Sequence, residues 1–536
     1  MAFTTRPTSS SRSCVRCFER KVKCDRLHPC GNCIKLGDEC VVPSTPIRRR
    51  RQKNRAEQAR QHSETYHEDM TPVAAEVSFN PLSLLNCSVT LIDQIKEPGR
   101  CWTPTFRHVQ TSWKIFAQNV DPFLRILHKP SMYRLIMQTE DQGITFLNEE
   151  QIALILSICF ASVTSLSNEQ CLLAFGHNKA ELYRKSKESA ELAISRARLI
   201  QKPDIRTLQA FTIVLTCCSQ IHPQSKWTLT GMAIRIARSL ELHLENSKPT
   251  ETLFQKEMRR RLWWHLRVLD FTTCMVLNCF ESAESFLDCD TLFPLNINDS
   301  QLDVEDDIPP LEFQGPTEMS FSILRYDVCA SMFTMIKQYR ITNTILTTEF
   351  VEDATRNISL YVEKQYLQLF QRNPATPLFR FCASICQLLP IKIRFLLNNL
   401  HNSLTYLDSS TGALPTFSDI RASNFVDSIK LLDFYVQFSH DQDFQAWDWI
   451  FGLSKNFHVI DSMLSQLDQR LLNLEDASKP EYWDKSSSQY ILLAWKVIGQ
   501  AFGIPLRSTE LSTNFGRLEG KKRDIERKLL HANLHR

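Results

Sequence analysis

CVRCFERKVKCDRLHPCGNCIKLGDEC, residues 14–40, sets six cysteines in 27 positions. The intervals read C-x2-C-x6-C, five residues, then C-x2-C-x6-C, so Cys14, Cys17 and Cys24 recur as Cys30, Cys33 and Cys40. The segment is one half-site written twice. Cysteine pairs at these intervals in a reducing compartment are metal ligands rather than disulfides. A structural zinc takes four ligands in a tetrahedron, so six thiolates serve one zinc with two to spare, or two zincs when two sulfurs bridge. The repeat favours two, with one bridge from each half; symmetry leaves open which cysteine of each three it is. Six thiolates around two dications leave a negative cluster, which Arg20, Lys21, Lys23 and Lys35 offset. Neutralisation does not account for RRRRQKNR at 48–55, and clustered cations of that kind are the footprint of phosphate binding.

The rest of the chain sets the context. At 536 residues, with 43% apolar and 23% charged residues, it is long enough for more than one domain and ordinary for a globular protein. Residues 1–60 hold 15 Lys or Arg against 5 Asp or Glu, a surplus of 10 on a chain whose total is +4, so the remainder carries −6. A basic terminus on a mildly acidic body points to a polyanion held by one end. MAFTTRPTSSSRS has no apolar h-region, so no secretory leader and no oxidising compartment are expected. The twelve other cysteines, Cys87 to Cys386, repeat no spacing and read as small buried apolar residues. The apolar run IALILSICFASV at 152–163 falls short of the roughly 20 residues of a membrane span, and no membrane partner is expected.

Residues 14–40 resemble the fungal binuclear zinc-cluster DNA-binding domain, whose intervals they match throughout. The resemblance implies two Zn2+ per chain, bridged by Cys14 and Cys30, with Cys17 and Cys24 completing one site and Cys33 and Cys40 the other. It implies a cluster with two short helices, the first entering the major groove of double-stranded DNA so that Lys21 meets the guanines of a CGG-type half-site. That agrees with the way basic side chains read guanine O6 and N7. Arg20 and Lys23 then contact phosphate, which positions without specifying. Pro29 matches the family's proline before the fourth cysteine. Phe18 departs from it, standing where the family usually has a basic residue; a phosphate contact is then missing or is supplied by Arg16 or Arg26, or Phe18 simply covers the cluster. Arg48, Arg49, Arg50 and Arg51 are read as further phosphate contacts and a nuclear import signal, placing the protein in the nucleus.

The expected fold is mostly α. A disordered tail (1–13) precedes the zinc cluster (14–40), then a basic linker with a dimerisation segment (41–100), a helical regulatory domain (101–505) and a basic tail (506–536). The linker shows no sustained a/d heptads, so a homodimer is implied by the family alone. In the body, GMAIRIARSLELHLE at 231–245 repeats apolar residues at i+4 (Met232, Ile236, Leu240, Leu244), and EMRRRLWWHLRVLDF at 257–271 reads as a largely buried helix. Glycine is scarce, 13 in 536, and alternating patterns are hard to find. NVDPFLRILHKPSM (119–132), GMAIRIARSLELHL, EMRRRLWWHLRVLD and LFPLNINDSQLD (292–303) resemble, in order, the fungal-specific transcription factor domain over roughly 105–345; LNCFESAESF departs from it after the long helix.

Arg259, Arg260 and Arg261 are expected to form buried ion pairs with Asp270, or to meet a regulator. His128 and His243 are expected in capping or core roles. DSQLDVEDDIPPLEF (299–313) and DQDFQAWDWIF (441–451) have the composition of activation segments, but equally of a solvated loop and a core helix. No G-x-S-x-G, P-loop, G-x-G-x-x-G or H-E-x-x-H occurs, and six cysteines fill their metals' coordination, so no catalytic residue is expected. The reading is a sequence-specific transcription regulator, an activator by family habit. It would control a metabolic pathway or gene cluster, with the RNA polymerase II machinery and an unidentified small-molecule effector as partners. The rival is a zinc-stabilised co-regulator that binds proteins and reads no bases.

Overall fold

The computed structural model describes residues 8–9, 14, 17, 23–36, 40–41, 101–218, 221–246, 250–277, 279, 289–305, 310–342, 348–372, 376–405, 417–451, 457–475, 485–503 and 519–527. The chain is mostly α and divides into two compact units, Met1–Glu76 and Val77–Arg536. In the first, α1 (Gly31–Leu36) carries Cys33, and a two-residue antiparallel pair joins Thr8–Ser9 (β1) to Leu27–His28 (β2). That pair is the one sheet among the described residues, and it takes in part of the stretch expected as a tail. The unit's buried cluster consists of the cysteines alone: Cys14, Cys17, Cys30, Cys33 and Cys40, with Cys24 against them.

The second unit is all helical among its described residues. Its first half is built on α2 (Phe106–Asn119), the single turn α3 (Asp121–Leu124), α4 (Lys129–Met137), α5 (Glu149–Ser165), α6 (Asn168–Phe175), α7 (Lys179–Arg196) and α8 (Ile205–Cys217). Side-chain caps fix the starts. Thr105, Asn148 and Ser167 each accept the N–H three residues on, while His108, Gln151 and Gln170 reach back, three reciprocal capping boxes. Ala153 to Ser165 of α5 is buried almost throughout, because α2, α7 and α8 pack around it. Such all-round burial is why its sequence reads as one apolar run rather than a stripe.

Next come α9 (Pro223–Ser239), α10 (Leu253–Leu277), α11 (Ser320–Thr342) and α12 (Thr348–Val362). α9 ends earlier than its i+4 stripe suggests. Glu241 adopts φ 60, Leu242 N–H donates back to the Ala237 carbonyl at 3.0 Å, and Leu242 goes under while Leu244 is left exposed. This closing turn, rather than the prolines further on, stops the helix. α10 is buried from Glu257 to Cys274 with few gaps, as its sequence leads one to expect.

The last helices are α13 (Pro377–Thr405), α14 (Phe417–His440), α15 (Phe457–Glu475) and α16 (Lys485–Gly503). Two apolar clusters run through the unit. The larger gathers residues from Trp102 to Trp449 and the smaller residues from Leu388 to Ile525, with α13 and α14 feeding both. Pro377–Asn398 is long and apolar enough to cross a membrane by length and composition, which the sequence pattern alone did not bring out. Phe381, Cys382 and Cys386 lie in the first cluster and Leu388 and Phe395 in the second, the placement of a core helix. Phe444, Trp447 and Trp449 of DQDFQAWDWIF are buried, Phe444 and Trp447 against Phe381, so this segment is core.

Candidate metal centre and its helical partner unit

The sulfurs of Cys14, Cys17, Cys24 and Cys30 all lie within 4.8 Å of one another, and so do those of Cys14, Cys30, Cys33 and Cys40. Cys14 and Cys30 are the two shared by both groups. Zinc–sulfur bonds of about 2.3 Å in a tetrahedron put ligand sulfurs about 3.8 Å apart. Here Cys14–Cys30 is 3.8 Å, Cys14–Cys33 3.7 Å and Cys17–Cys30 3.7 Å. These separations suit a central ion and are far too long for disulfides.

Local hydrogen bonds hold the sulfurs there. The Asp25 carboxylate accepts from the N–H groups of Leu27 (3.1 Å) and Gly31 (2.8 Å), clamping the turn between the halves. A Cβ on Gly31 would meet Asp25 Oδ2 at 2.8 Å, so this close approach needs glycine. Arg26 sits in the left-handed region, φ 64, to make the turn. Asn32 Nδ2 donates to the Lys23 carbonyl at 2.9 Å, tying α1 to the first half, and Cys30 N–H donates to Cys40 Sγ at 3.3 Å.

The thiols differ in acidity. The Cys33 backbone N–H, opposed by burial, holds Cys30 down at about 6. Burial would raise Cys14, but the Cys17 backbone N–H and neighbouring thiols bring it below its ordinary value. Burial pushes Cys17 up to about 12 and raises Cys33 and Cys40. Cys14 and Cys30 therefore ionise more readily than Cys17, Cys33 and Cys40, which need a dication to become thiolates.

Of the residues expected at a nucleic-acid interface, Lys23 and Arg26 are exposed beside the cluster. Arg16, Arg20, Lys21 and Arg48 to Arg51 lie outside the described residues, as do Phe18 and residues 42–100 of the linker. Sequence reading missed Asp25, Gly31 and Asn32; the only signal was a glycine directly after the fourth cysteine.

In the helical unit three of the quoted motifs meet in one buried network. Arg125, held at φ 49, bonds Asp121 at 2.5 Å, Asp299 at 2.8 Å and Glu318 at 3.1 Å. Arg261 bonds Glu257 at 2.9 Å and the same Asp299 oxygen at 2.7 Å. Lys129 bonds Glu318 at 2.6 Å. Burial opposes ionisation of Asp299, but Arg125 and Arg261 hold it down to about 2. His128 joins through Ser131 and the Asp299 carbonyl, a core role. The pairing expected between the arginines and Asp270 is corrected: Arg259 pairs with Glu251, Arg260 with Glu245 and Arg261 with Glu257 and Asp299. Asp270 lies further along α10, too far for these side chains to reach, and burial pushes it up to about 7.

Comparison with known proteins accords with both units. Residues 12–50 match the family model of the fungal Zn(2)-Cys(6) binuclear cluster domain, and residues 113–373 that of the fungal specific transcription factor domain. Together the two matches span over half of the chain. Among curated relatives, the aurofusarin cluster transcription factor aurR2 of Gibberella zeae is 26% identical over 70% of this chain and 62% of its own length. The C6 finger domain transcription factor nscR of Arthroderma gypseum is 26% identical over 61% of this chain and 56% of its own. The C6 finger domain transcription factor adaR of Aspergillus niger is 32% identical over 40% and 28%. The chain thus spans rather less than two thirds of these relatives, which are transcription factors and not enzymes.

Proposed function

The chain belongs to the fungal Zn(2)-Cys(6) transcription factors, and on that premise we propose that it binds two Zn2+, reads CGG-type half-sites in the nucleus and activates a metabolic gene cluster. The observation that carries this is the pair of sulfur quartets sharing Cys14 and Cys30. Two zincs sharing those thiolates pin both halves of residues 14–40 together. The basic segment between Cys17 and Cys24 is then the reader, with Lys21 on guanine and Arg20, Lys23, Arg16, Arg26 and Arg48 to Arg51 on phosphate. A homodimer on paired half-sites, the transcription machinery, and a small-molecule effector of the helical unit complete the proposed partners. One relative is named for the aurofusarin cluster, and this supports a biosynthetic gene cluster as the target.

The test measures binding to CGG-containing and scrambled duplexes at several salt concentrations. Lys21→Ala is expected to cost about 1–3 kcal/mol on the CGG duplex and much less on the scrambled one. Neutralising Arg48 to Arg51 is expected to weaken both alike and to flatten the salt dependence by roughly one unit for each phosphate that the protein no longer neutralises. Equal losses on both duplexes for Lys21→Ala would remove it as the reader. Wild-type binding without preference for CGG would favour the co-regulator reading.

A further inference from the structure

Residues 268–324 hold twelve Asp or Glu and no Lys, Arg or His. Twelve formal negative charges outweigh the −6 of the whole body, so its acidity is concentrated in this one stretch. The C-terminal part of the stretch is a loop closed at its neck. Asp299 Oδ1 (2.8 Å) and Glu318 Oε2 (3.1 Å) both accept from Nη2 of Arg125, and the Asp299 N–H donates to Glu318 Oε2 at 3.2 Å. One buried guanidinium therefore clamps both ends. A surface loop whose ends are held together on a packed body is a form that recognition segments take.

The loop shows solvent a mixture of acid and apolar side chains. Asp303, Glu305 and Glu312 are exposed, and no cation among the described residues pairs with them. Leu311 is 91% exposed and Phe313 52%. Burying such side chains is worth about 1.5–3 kcal/mol each, and this fold leaves that gain unused. Phe313 is held in place all the same. Its N–H donates to the Asn296 carbonyl at 3.0 Å, Asn296 Nδ2 donates to its carbonyl at 2.7 Å, and a Cβ on Gly315 would meet its ring at 2.3 Å. Phe293, also exposed, lies three positions before Asn296, within about 11 Å of it along the chain. Trp264 fixes that segment, its ring stacked on Phe293 at 4.2 Å and its Nε1 donating to the carbonyl of exposed Leu292 at 2.9 Å. Pinned apolar side chains edged by unpaired acids are the make-up of an interaction surface. The sign of the charge excludes nucleic acid as the occupant and calls for a cationic one.

We infer that the loop 299–318, with Leu292 and Phe293 beside it, is a docking surface for a protein partner. Leu311 and Phe313 meet an apolar surface of that partner edged by lysines or arginines, and those cations meet Asp303, Glu305 and Glu312. This rests on the reading of the chain as an activator, and names the place and the chemistry by which it engages the transcription machinery.

The test uses the full-length zinc-loaded protein without DNA and a fluorescein-labelled amphipathic peptide of leucine and lysine, read by anisotropy. Binding is expected, weakening as salt rises, whereas the same peptide with glutamate for every lysine is expected not to bind. Leu311→Ser with Phe313→Ser is expected to weaken binding at least about tenfold, and Leu311→Ser alone, at an almost fully exposed side chain, to weaken it without touching the unfolding temperature. Asp303→Asn with Glu305→Gln and Glu312→Gln keeps the side-chain oxygens that accept from the Glu305 and Asn296 N–H groups, and is expected to weaken binding and flatten its salt dependence. Leu172→Ser with Leu173→Ser, exposed leucines on α6, is expected to change nothing. Equal losses in the two leucine sites, or equal binding of the lysine and glutamate peptides, would overturn the surface. A wild-type dimer in sedimentation that Leu311→Ser splits would overturn the partner, making a second copy the occupant. On a CGG-driven reporter the loop variants are expected to lower output at unchanged DNA occupancy, and unchanged output would overturn the link to activation. Wild-type binding without preference for CGG would instead sink the regulator reading, whatever the peptide does.

Discussion

The zinc-cluster unit and the helical unit solve the same problem with different materials. Residues 14–40 have no apolar core beyond their own cysteines among the described residues; their cohesion must come from what the sulfurs hold. The helical unit buries scores of apolar side chains and places a charged network, Asp121–Arg125–Asp299–Arg261–Glu257, inside them. In one unit charge is gathered by a metal, in the other by matched carboxylates and guanidinium groups. Too small to bury enough surface, the first unit depends on its ligand; the second does not.

The sharpest way to break this contrast is to remove the metal. Structural zinc supplies an apparent 10–16 kcal/mol or so to folding in small zinc domains. Chelation is therefore expected to abolish DNA binding and the ordered signals of residues 14–40 while leaving the helical circular dichroism and melting of the body unchanged. A body that melts together with the cluster would merge the two regions.

Within the body, Arg261→Ala leaves Glu257 and Asp299 as buried carboxylates short of a partner, a loss of about 3–5 kcal/mol. Chemical denaturation should show it, with zinc content unchanged. Arg261→Met together with Glu257→Leu is expected to recover part of the loss, because two apolar groups leave less charge stranded.

Asp270 and Asp299 give opposite pH signatures. Asp270 rises from an ordinary 3.8 to about 7 on folding, so between these values the folded state holds a proton the unfolded state has lost, and stability falls as pH rises. Asp270→Asn is expected to stabilise the body by about 4 kcal/mol above pH 7, with the gain vanishing below pH 4 or so. Asp299, depressed to about 2, contributes stability that is present above 3.8 and lost as acid protonates it. A pH-independent gain from Asp270→Asn would show that its carboxyl is not the buried titrating group.

A smaller effect returns to the cluster. Gly31→Ala makes the Asp25 carboxylate shift at Oδ2, the oxygen that accepts from the Gly31 N–H. Outer-shell losses of this kind cost about 10- to 100-fold in metal affinity, measurable by competition with a chromogenic chelator. No change would mean that Asp25 does not support the site.

What the sequence revealed followed from how local each feature is. The clustered cysteines are written as intervals, so the six whose sulfurs the fold gathers, Cys14 to Cys40, were legible as a set, as were helices such as α10 whose pattern is continuous. The Asp121–Arg125–Asp299 network was not, since Arg125 and Asp299 are 174 positions apart and Arg125 owes its place to a left-handed turn. Proximity along the chain suggested Asp270 as the arginines' partner; packing chose Glu245, Glu251, Glu257 and Asp299 instead.

The claim on which the account turns is that six sulfurs hold two metals through Cys14 and Cys30. Elemental analysis of the purified chain, beside Cys14→Ala and Cys17→Ala, tests it most directly. The account predicts two zincs per wild-type chain, damage to both sites in Cys14→Ala, and one zinc largely retained in Cys17→Ala. One zinc per folded wild-type chain, or equal losses in the two variants, would contradict it.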